Sequence, residues 1–340
     1  MFQFISRLLL ELRESDSARA DSLRRILIIR QDRRLGNLVM IAPLLRALRG
    51  AYPDAHVVLV LAAEVADLFF PGPLADEVIP FRHRDFLRKP RTAARWLANY
   101  RRQRWDLVVE SSHPWDASIT GRLLTKIARA PIKLGFPLDK RRLVTAGFDH
   151  TRISYAATQL WLIRNLIPAA DASLHATLPV PSGFMDRVAH TRETLLGSAS
   201  GPLVGVWPKS GDLPFKTIPP EWIRRIGQMI VHDYHGKVVL LAGIAEAALA
   251  RDLDLPIHRL HGSVWDLATV LRCCDVLISP DCGPQHFAVA LGVPTIAMFR
   301  GTSPVLFGHH DGVRHFDLLE SNAWQADLQA ALDKALRRCE

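Results

Sequence analysis

An unbroken apolar run, Ile26-Leu27-Ile28-Ile29, most strongly restricts what this chain can fold into. A strand of this composition is buried on both faces, which is typical of a parallel sheet covered by helices on each side. A polar loop follows over residues 30–36, a helix is predicted over 38–48, and a second strand over 57–61. Strand, loop, helix and strand form a βαβ unit, so the sequence predicts an α/β fold.

The same alternation recurs along the rest of the chain. The predicted strands lie at 78–79, 106–110, 203–206, 237–242, 276–278 and 295–299, and the predicted helices at 92–102, 121–128, 220–231, 246–253, 265–272 and 285–291. A Pro-rich stretch at 178–181 separates two cycles of these elements, as an interdomain linker would. We therefore predict two Rossmann-like, doubly wound domains, residues 1–178 and 179–340, which 340 residues are enough to form.

Composition argues against several other classes of protein. No apolar run approaches the roughly 20 residues that span a bilayer, and Glu11 and Arg13 interrupt the apolar N-terminus, so no secretory signal is expected. The four cysteines include no CxxC pair, which argues against a zinc site or a disulfide scaffold and favours a cytoplasmic location. Residues 1–20 form an amphipathic extension that either lies on a membrane surface or packs on the first domain.

Positive charge is concentrated in the first half of the chain. Residues 1–178 hold 28 Lys and Arg against 17 Asp and Glu, whereas the remainder has a net charge of −2. Such asymmetry indicates a first domain that meets an anionic partner, such as phospholipid, a lipid A-type phosphate or nucleic acid. The alternative is a surface that is basic without a partner.

The segment with the clearest chemistry is Asp281-Cys282-Gly283-Pro284-Gln285-His286, where a predicted strand turns into a helix. The free N–H groups and the positive dipole end of a helix start favour phosphate. Gly283 lets a ligand approach the backbone, and Pro284 suits a first helical turn. Asp281 would orient the loop or accept from a sugar hydroxyl, and His286 would offset diphosphate charge. The alternative is an ordinary strand-to-helix turn capped by Asp281.

This segment, with the Ala-Leu-Gly-Val-Pro that follows at 290–294, resembles the signature of glycosyltransferase family 9, the ADP-heptose:lipopolysaccharide heptosyltransferases. The family pattern is Asp-[Thr/Ser]-Gly-x-x-His followed by Ala-Ala-x-Gly-x-Pro. Four further segments resemble the family in its order: 24–43, 105–136, 216–222 and 243–246. The match spans about residues 24–318, and five ordered segments are far more specific than any one of them.

The resemblance implies a GT-B type fold, in which two Rossmann-like domains face a central cleft, the first binding the acceptor and the second the nucleotide-sugar donor. One arrangement for the last helix is to pack back on the N-terminal domain. Lys216 would contact the donor diphosphate and Glu246 the ribose. From the residues alone, a solvated surface lysine and a carboxylate at a helix N-terminus are the favoured interpretations. The resemblance further places Asp281, Cys282, Gly283, Pro284 and His286 at the donor, and Arg30 and Gly36 on the acceptor side.

Two residues depart from the family pattern. Asn37 stands where the family has the aspartate that deprotonates the acceptor hydroxyl, and an amide cannot take that proton. Asp32, His113 and Asp116 are the candidates to replace it. The second departure is Cys282, a weaker hydrogen-bond donor than the hydroxyl residue of the family.

The resulting hypothesis is an inverting, metal-independent glycosyltransferase that moves a sugar, heptose from ADP-heptose, onto a lipopolysaccharide core or related glycolipid. No Asp-x-Asp motif follows a strand, so neither a metal nor another cofactor is expected. The expected partners are the donor, an anionic glycolipid and the inner face of the cytoplasmic membrane, but not nucleic acid. Two alternatives stay open: another nucleotide sugar or acceptor, and a degenerate, non-catalytic glycan-binding protein marked by Asn37. A dehydrogenase is disfavoured, because no Gly-x-Gly-x-x-Gly follows Ile29.

Overall fold

Two parallel β-sheets organise the chain in the computed structural model, which describes residues 22–114, 116–137, 153–167, 177–210, 213–242, 257–259 and 263–337. The chain divides into two units, Met1–Pro179 and Val180–Glu340, and the division falls within the Pro-rich stretch at 178–181. The predicted helix at 246–253 and the amphipathic extension at 1–20 lie outside the described residues.

The first domain contains a five-stranded sheet in the order β3-β2-β1-β4-β5, with every pair parallel. The strands are β1 (Arg25–Arg30), β2 (His56–Ala62), β3 (Glu77–Phe81), β4 (Leu107–Glu110) and β5 (Ile132–Gly135). The described helices are α1 (Leu35–Val39), α2 (Ala42–Ala51), α3 (His83–Arg88), α4 (Pro90–Arg102), α5 (Ile119–Ile127) and α6 (Tyr155–Trp161), with a 3₁₀ turn at Ala66–Leu68. Five consecutive residues of β1, 26–30, are buried, which confirms the interpretation of its apolar run.

The helix predicted over 38–48 is interrupted in the structure. It is divided into α1 and α2 by Met40 and Ile41, and Pro43 occupies the first turn of α2. Proline has no N–H to bond to the carbonyl of Val39, and its ring would clash with that carbonyl in a continuous helix. The pattern of leucines therefore gave the correct buried face but missed the break.

The second domain contains a six-stranded parallel sheet in the order β11-β10-β9-β6-β7-β8. Its strands are β6 (Leu203–Val206), β7 (Lys237–Ala242), β8 (Ile257–Arg259), β9 (Val276–Pro280), β10 (Thr295–Phe299) and β11 (His315–Leu319). Its described helices are α7 (Phe184–Leu196), α8 (Pro220–Asp233), α9 (Val264–Cys273), α10 (Gly283–Ala290), α11 (Pro304–Phe307) and α12 (Trp324–Leu336), with a 3₁₀ turn at Pro214–Lys216. In each sheet, successive strands are added first on one side and then, after a single reversal, on the other. Both sheets therefore have the doubly wound topology expected from the sequence.

The last helix, α12, contributes its apolar face to the core of the second domain. Trp324, Leu328 and Leu332 are buried there, and the Trp324 ring stacks on Trp222 of α8 with centroids 4.2 Å apart. Packing of this helix on the first domain, which was considered from the sequence, stays a prediction. In the part of the chain that is described, no helix is both long and apolar enough to cross a membrane.

Candidate functional site

Each sheet reverses its winding between two adjacent strands, and the loops after those strands carry the predicted site residues. In the first domain the strands are β1, which ends at Arg30, and β4, which ends at Glu110. In the second they are β6, which ends at Val206, and β9, which ends at Pro280. Ligands of doubly wound sheets bind at the carboxyl ends of such strands.

Asp32 is the centre of the first-domain cluster. Its carboxylate accepts five hydrogen bonds, from Arg30 Nη2, Asn37 Nδ2 and the N, Nε and Nη2 atoms of Arg34. Burial acts to raise the pKa of Asp32, but the charge of Arg30 and the hydrogen bonds from Arg34 and Asn37 outweigh it and hold that pKa below its usual value. Asp32 is therefore ionised and fully occupied by donors.

Asn37 lies in direct contact with this carboxylate, since its Nδ2 is 2.6 Å from Asp32 Oδ2. A carboxylate at position 37 would lie at the same distance from Asp32 and would repel it, whereas the amide of Asn37 donates a hydrogen bond. Gly36 is buried within α1, one residue earlier. The sequence identified the departure at 37, whereas the contact with Asp32 is visible only in the structure.

Asp116, on the loop after β4, joins the cluster through Arg34. Its Oδ2 lies 2.6 Å from Arg34 Nη2, and its side chain is 35% exposed against 11% for Asp32. Arg34 thus links two of the three carboxylate and imidazole candidates named from the sequence. Sequence reasoning missed Arg34 because it is one of many basic residues in this domain, and no local pattern distinguishes it.

Arg30 and His113 are both buried beneath this cluster. The Arg30 side chain is fully buried and donates from Nη2 to Tyr155 Oη at 2.6 Å and from Nη1 to the Ser111 carbonyl. His113 stacks on Tyr155 with ring centroids 4.1 Å apart. Arg30 therefore positions Asp32. Tyr155, 125 residues away in sequence, in turn positions Arg30, and the sequence did not reveal this residue.

In the second domain, Lys216 and Asp281 form an ion pair. Lys216 Nζ lies 2.7 Å from Asp281 Oδ2, and both side chains are largely buried. Ser210 Oγ donates to the Asp281 carbonyl at 2.8 Å, which joins the loop after β6 to the loop after β9. The structure therefore brings together two residues assigned to the donor from separate segments, and Lys216 is not the solvated lysine of the alternative interpretation.

His286, in the first turns of α10, is 5% exposed and pairs with His309, with Nδ1 and Nε2 2.8 Å apart. Burial, with a smaller contribution from the Lys216 charge, lowers the pKa of His286 to about 3. The imidazole is therefore neutral near pH 7, and its 3.7 Å approach to Asp281 is a contact of a neutral ring. His286 supplies hydrogen bonding, in contrast to the charge expected from the sequence.

The start of α10 has the geometry predicted for it. Cys282 is its extended N-cap residue and makes no capping hydrogen bond with its side chain, while Gly283 and Pro284 form the first turn. Burial raises the pKa of the Cys282 thiol to about 12, so the thiol stays protonated and does not repel phosphate. Glu246, the predicted ribose ligand, lies outside the described residues. No group of three His, Cys, Asp or Glu side chains that could hold a metal ion occurs within the described ranges.

The model of glycosyltransferase family 9 (heptosyltransferase) matches residues 95–326, which is more than half of the chain. This chain belongs to glycosyltransferase family 9. It is accordingly a glycosyltransferase, and the prediction of two Rossmann-like domains of the GT-B type is confirmed. A comparison with curated proteins gives no match.

Solved structures share the fold of this family 9 enzyme at 18% sequence identity. The glycosyl transferase family 9 from Veillonella parvula DSM 2008 has a TM-score of 0.71 and covers 95% of this chain and 94% of its own. E. coli ADP-heptose lps heptosyltransferase II has a TM-score of 0.68, with 92% and 99% covered. E. coli heptosyltransferase WaaC with ADP has a TM-score of 0.63, with 93% and 100% covered.

Proposed function

We propose that this family 9 glycosyltransferase moves heptose from ADP-heptose onto a hydroxyl of a lipopolysaccharide core or related glycolipid, with inversion and without a metal. The observation that carries the donor assignment is the Lys216–Asp281 pair at the reversal point of the second sheet, beside the start of α10. E. coli heptosyltransferase WaaC, which shares the fold, was solved with ADP and with ADP-2-deoxy-2-fluoro heptose, which favours this donor over other nucleotide sugars.

Charge on the leaving diphosphate is the main demand of such a reaction. The bond between the anomeric carbon and the phosphate oxygen breaks with its electron pair on the diphosphate, so the site must stabilise new negative charge. Asp281 holds the Lys216 ammonium and directly precedes Cys282, the N-cap residue of α10. An ammonium and a helix N-terminus both favour an anion. His286 is neutral near pH 7, so it offers hydrogen bonding to the donor but no positive charge. These residues offer the stabilisation that a divalent ion provides in other enzymes.

Donor binding is tested by calorimetry with ADP and ADP-heptose on Lys216→Ala, with Lys334→Ala, an exposed lysine of the same domain, as the matched control. Loss of one charge-assisted contact is expected to weaken binding about 10- to 100-fold, and the control is expected to bind as the wild type does. Turnover assays with ADP-heptose and with other nucleotide sugars then decide the donor. Turnover with a different nucleotide sugar alone would remove the heptose assignment.

We assign the base to Asp116. Asp32 accepts five hydrogen bonds and has a lowered pKa, so taking a proton would disrupt its network. His113 is buried against Tyr155. Asp116 is the most exposed of the three and makes one ion pair, to Arg34, which leaves a carboxylate oxygen for an acceptor hydroxyl.

The base assignment predicts that Asp116→Asn lowers kcat about 10²- to 10⁴-fold while the ADP affinity is kept. Asp32→Asn is the comparison: if it alone abolishes turnover with intact folding and an altered pH profile, the base is Asp32. Turnover by Asn37→Asp but not by the wild type would show that the native chain is a binding protein.

The acceptor and location follow from charge. The first domain is the basic half of the chain, which suits a phosphorylated glycolipid at the inner face of the cytoplasmic membrane. The partners we propose are therefore this acceptor, the donor and the membrane surface, and not nucleic acid.

A further inference from the structure

The first domain carries a dense group of cations between β3 and β4. Residues 82–104 include nine Lys and Arg against one acidic residue, Asp85. All nine are exposed: Arg82, Arg84, Arg88, Lys89, Arg91, Arg95, Arg101, Arg102 and Arg104. We call this set the basic face. Its charge density is far above that of the rest of the chain, whose basic and acidic residues nearly balance.

Helix α4 aligns three residues of the basic face along one side of the helix. Arg91, Arg95 and Arg102 recur at helical spacing along one stripe, and the opposite side of the helix presents Trp96 and Tyr100 to the sheet. Tyr100 is buried and donates from Oη to the Leu124 carbonyl of α5 at 3.0 Å. The aromatic side therefore fixes the helix on the domain, while the arginine stripe faces solvent.

The nine charges of the basic face form no ion pair within the part of the chain that the structure describes. Among the described residues, no Asp or Glu forms an ion pair with any of them, although Arg34, Arg49, Arg192 and Arg300 are all paired. Like charges at three- and four-residue spacing repel each other and destabilise a helix. A stripe that costs stability and has no acidic partner in the part of the domain that the structure describes indicates a partner outside it.

The chemistry of the stripe favours a membrane surface over nucleic acid. Proteins that bind single strands stack bases on exposed aromatic rings between their cations. Here the aromatic residues of the segment, Phe86, Trp96 and Tyr100, pack against the core of the domain. What remains exposed is a row of arginines, which is typical of attraction to anionic lipid headgroups.

The topology connects the basic face to the acceptor loops. Because β3 is parallel to β1 and β4, Arg82 and Arg84 follow β3 at the same edge of the sheet that carries Asp32 and Asp116. With about 4.8 Å between neighbouring strands, β3 lies roughly 10 Å to one side of β1. A surface that held the basic face would thus be near the loops where an acceptor headgroup must react.

We propose that the basic face docks the first domain onto a bilayer containing anionic phospholipid and so presents the acceptor loops to a membrane-bound substrate. This inference rests on the proposed function, since it supplies the surface on which a glycolipid acceptor is met. The attraction is electrostatic, needs no insertion of helix α4, and weakens as salt is added.

The test is sedimentation of the full chain with vesicles of phosphatidylcholine and with vesicles in which phosphatidylglycerol replaces part of it. The variant is Arg91→Gln/Arg95→Gln/Arg102→Gln. The matched control, Arg187→Gln/Arg224→Gln/Arg225→Gln, removes three exposed helical arginines from the second domain. We expect the wild type and control to bind the anionic vesicles alone, and the stripe variant to bind them about 100-fold more weakly.

Three results would overturn the proposal: no preference of the wild type for anionic vesicles, an equal loss in the control, or no loss in the stripe variant. Tighter binding to an RNA or DNA oligonucleotide than to anionic vesicles at the same salt concentration would also overturn it. Vesicle binding needs no turnover, whereas calorimetry and donor assays need no lipid. A failure of the proposed reaction is therefore distinguishable from a failure of the docking surface.

Discussion

At the scale of single residues, the contact between Asn37 and Asp32 gives a structural reason for an amide at position 37, where the family pattern has an aspartate. The amide is a donor to a carboxylate that two arginines also hold, so the residue at 37 and the residue at 32 depend on each other. One carboxylate, that of Asp32, takes part in this contact, and it lies five residues before position 37. Position 37, where the family resemblance predicts a base, is therefore part of an ordered network of hydrogen bonds around Asp32.

A double-mutant cycle tests this dependence. Asn37→Asp puts two carboxylates in contact and should destabilise the protein by about 1–3 kcal/mol, and Asp32→Asn removes the partner of buried Arg30. The double variant restores one carboxylate and one amide, so it should be less destabilised than the sum of the two single variants by about 0.5–3 kcal/mol. Denaturant unfolding measures all four proteins, and strictly additive effects would contradict the contact.

His286 gives a prediction in pH. An unfolded histidine with a pKa near 6.5 binds a proton at pH 5, whereas His286 with a folded pKa of about 3 does not. Its contribution to stability is complete above pH 6.5 and is lost as the pH falls towards 3. Between pH 7.5 and 5, the wild type should lose about 2 kcal/mol more unfolding free energy than His286→Gln. His190→Gln, at an exposed histidine, should behave as the wild type, and an equal pH dependence in all three would sink the idea.

At the scale of elements, short connections rather than helices and strands hold the second-domain site together. The 3₁₀ turn at Pro214–Lys216 brings the ammonium to Asp281, and the segment after α11 brings His309 to His286. Asp317 of β11 fixes that segment by accepting from the backbone N–H groups of His309 and His310. Burial raises the pKa of Asp317, so this carboxylate depends on the two N–H groups to remain ionised.

Gly308 is the critical position of this connection. A Cβ there would overlap Asp317 Oδ2 and the Pro304 carbonyl, so Gly308→Ala must displace the segment that carries His309. We expect a loss of about 1–3 kcal/mol in unfolding free energy and weaker ADP binding. Gly50→Ala is the control, because no atom lies within 4 Å of its Cβ and alanine is favoured in a helix. Equal thermal stability of the two variants would show that the segment adapts freely.

At the scale of the whole molecule, the two domains share one topology but differ in charge. The doubly wound sheet appears in both, while the excess of cations belongs to the first and the Lys216–Asp281 pair to the second. The fold alone therefore does not separate donor from acceptor domain, because each sheet offers a reversal point. The proposed assignment of donor and acceptor domains therefore rests on the side chains at the two reversal points.

This division predicts where a nucleotide slows hydrogen exchange. ADP at 100 times its Kd should slow exchange up to roughly 100-fold in the second-domain segments 203–216 and 276–290. Strands β1 and β2 of the first domain should be unaffected, and Lys216→Ala should show much less protection at the same ADP concentration. Mass spectrometry of deuterated peptides measures this, and protection confined to the first domain would reverse the donor assignment.

The sequence by itself determined the class of fold and predicted the loops that carry the candidate site. Continuous apolar runs, as at 26–29 and 276–278, predict buried strands. In a parallel sheet the loops that follow such strands lie at the same end of the sheet. That reasoning found Asp32, Asp116 and the loop of Asp281, and the ordered family motifs added Lys216. It missed the helix break before Pro43, although the proline was visible.

Tertiary structure alone decided which residues touch and which are charged. Tyr155 meets Arg30 across 125 residues, and Lys216 meets Asp281 across 65, and no local pattern encodes such contacts. His286 was expected to carry charge, yet burial makes it neutral, because desolvation depends on everything packed around a group and not on its neighbours in sequence. The strands and their loops are properties of short segments, whereas contacts and protonation belong to the folded chain.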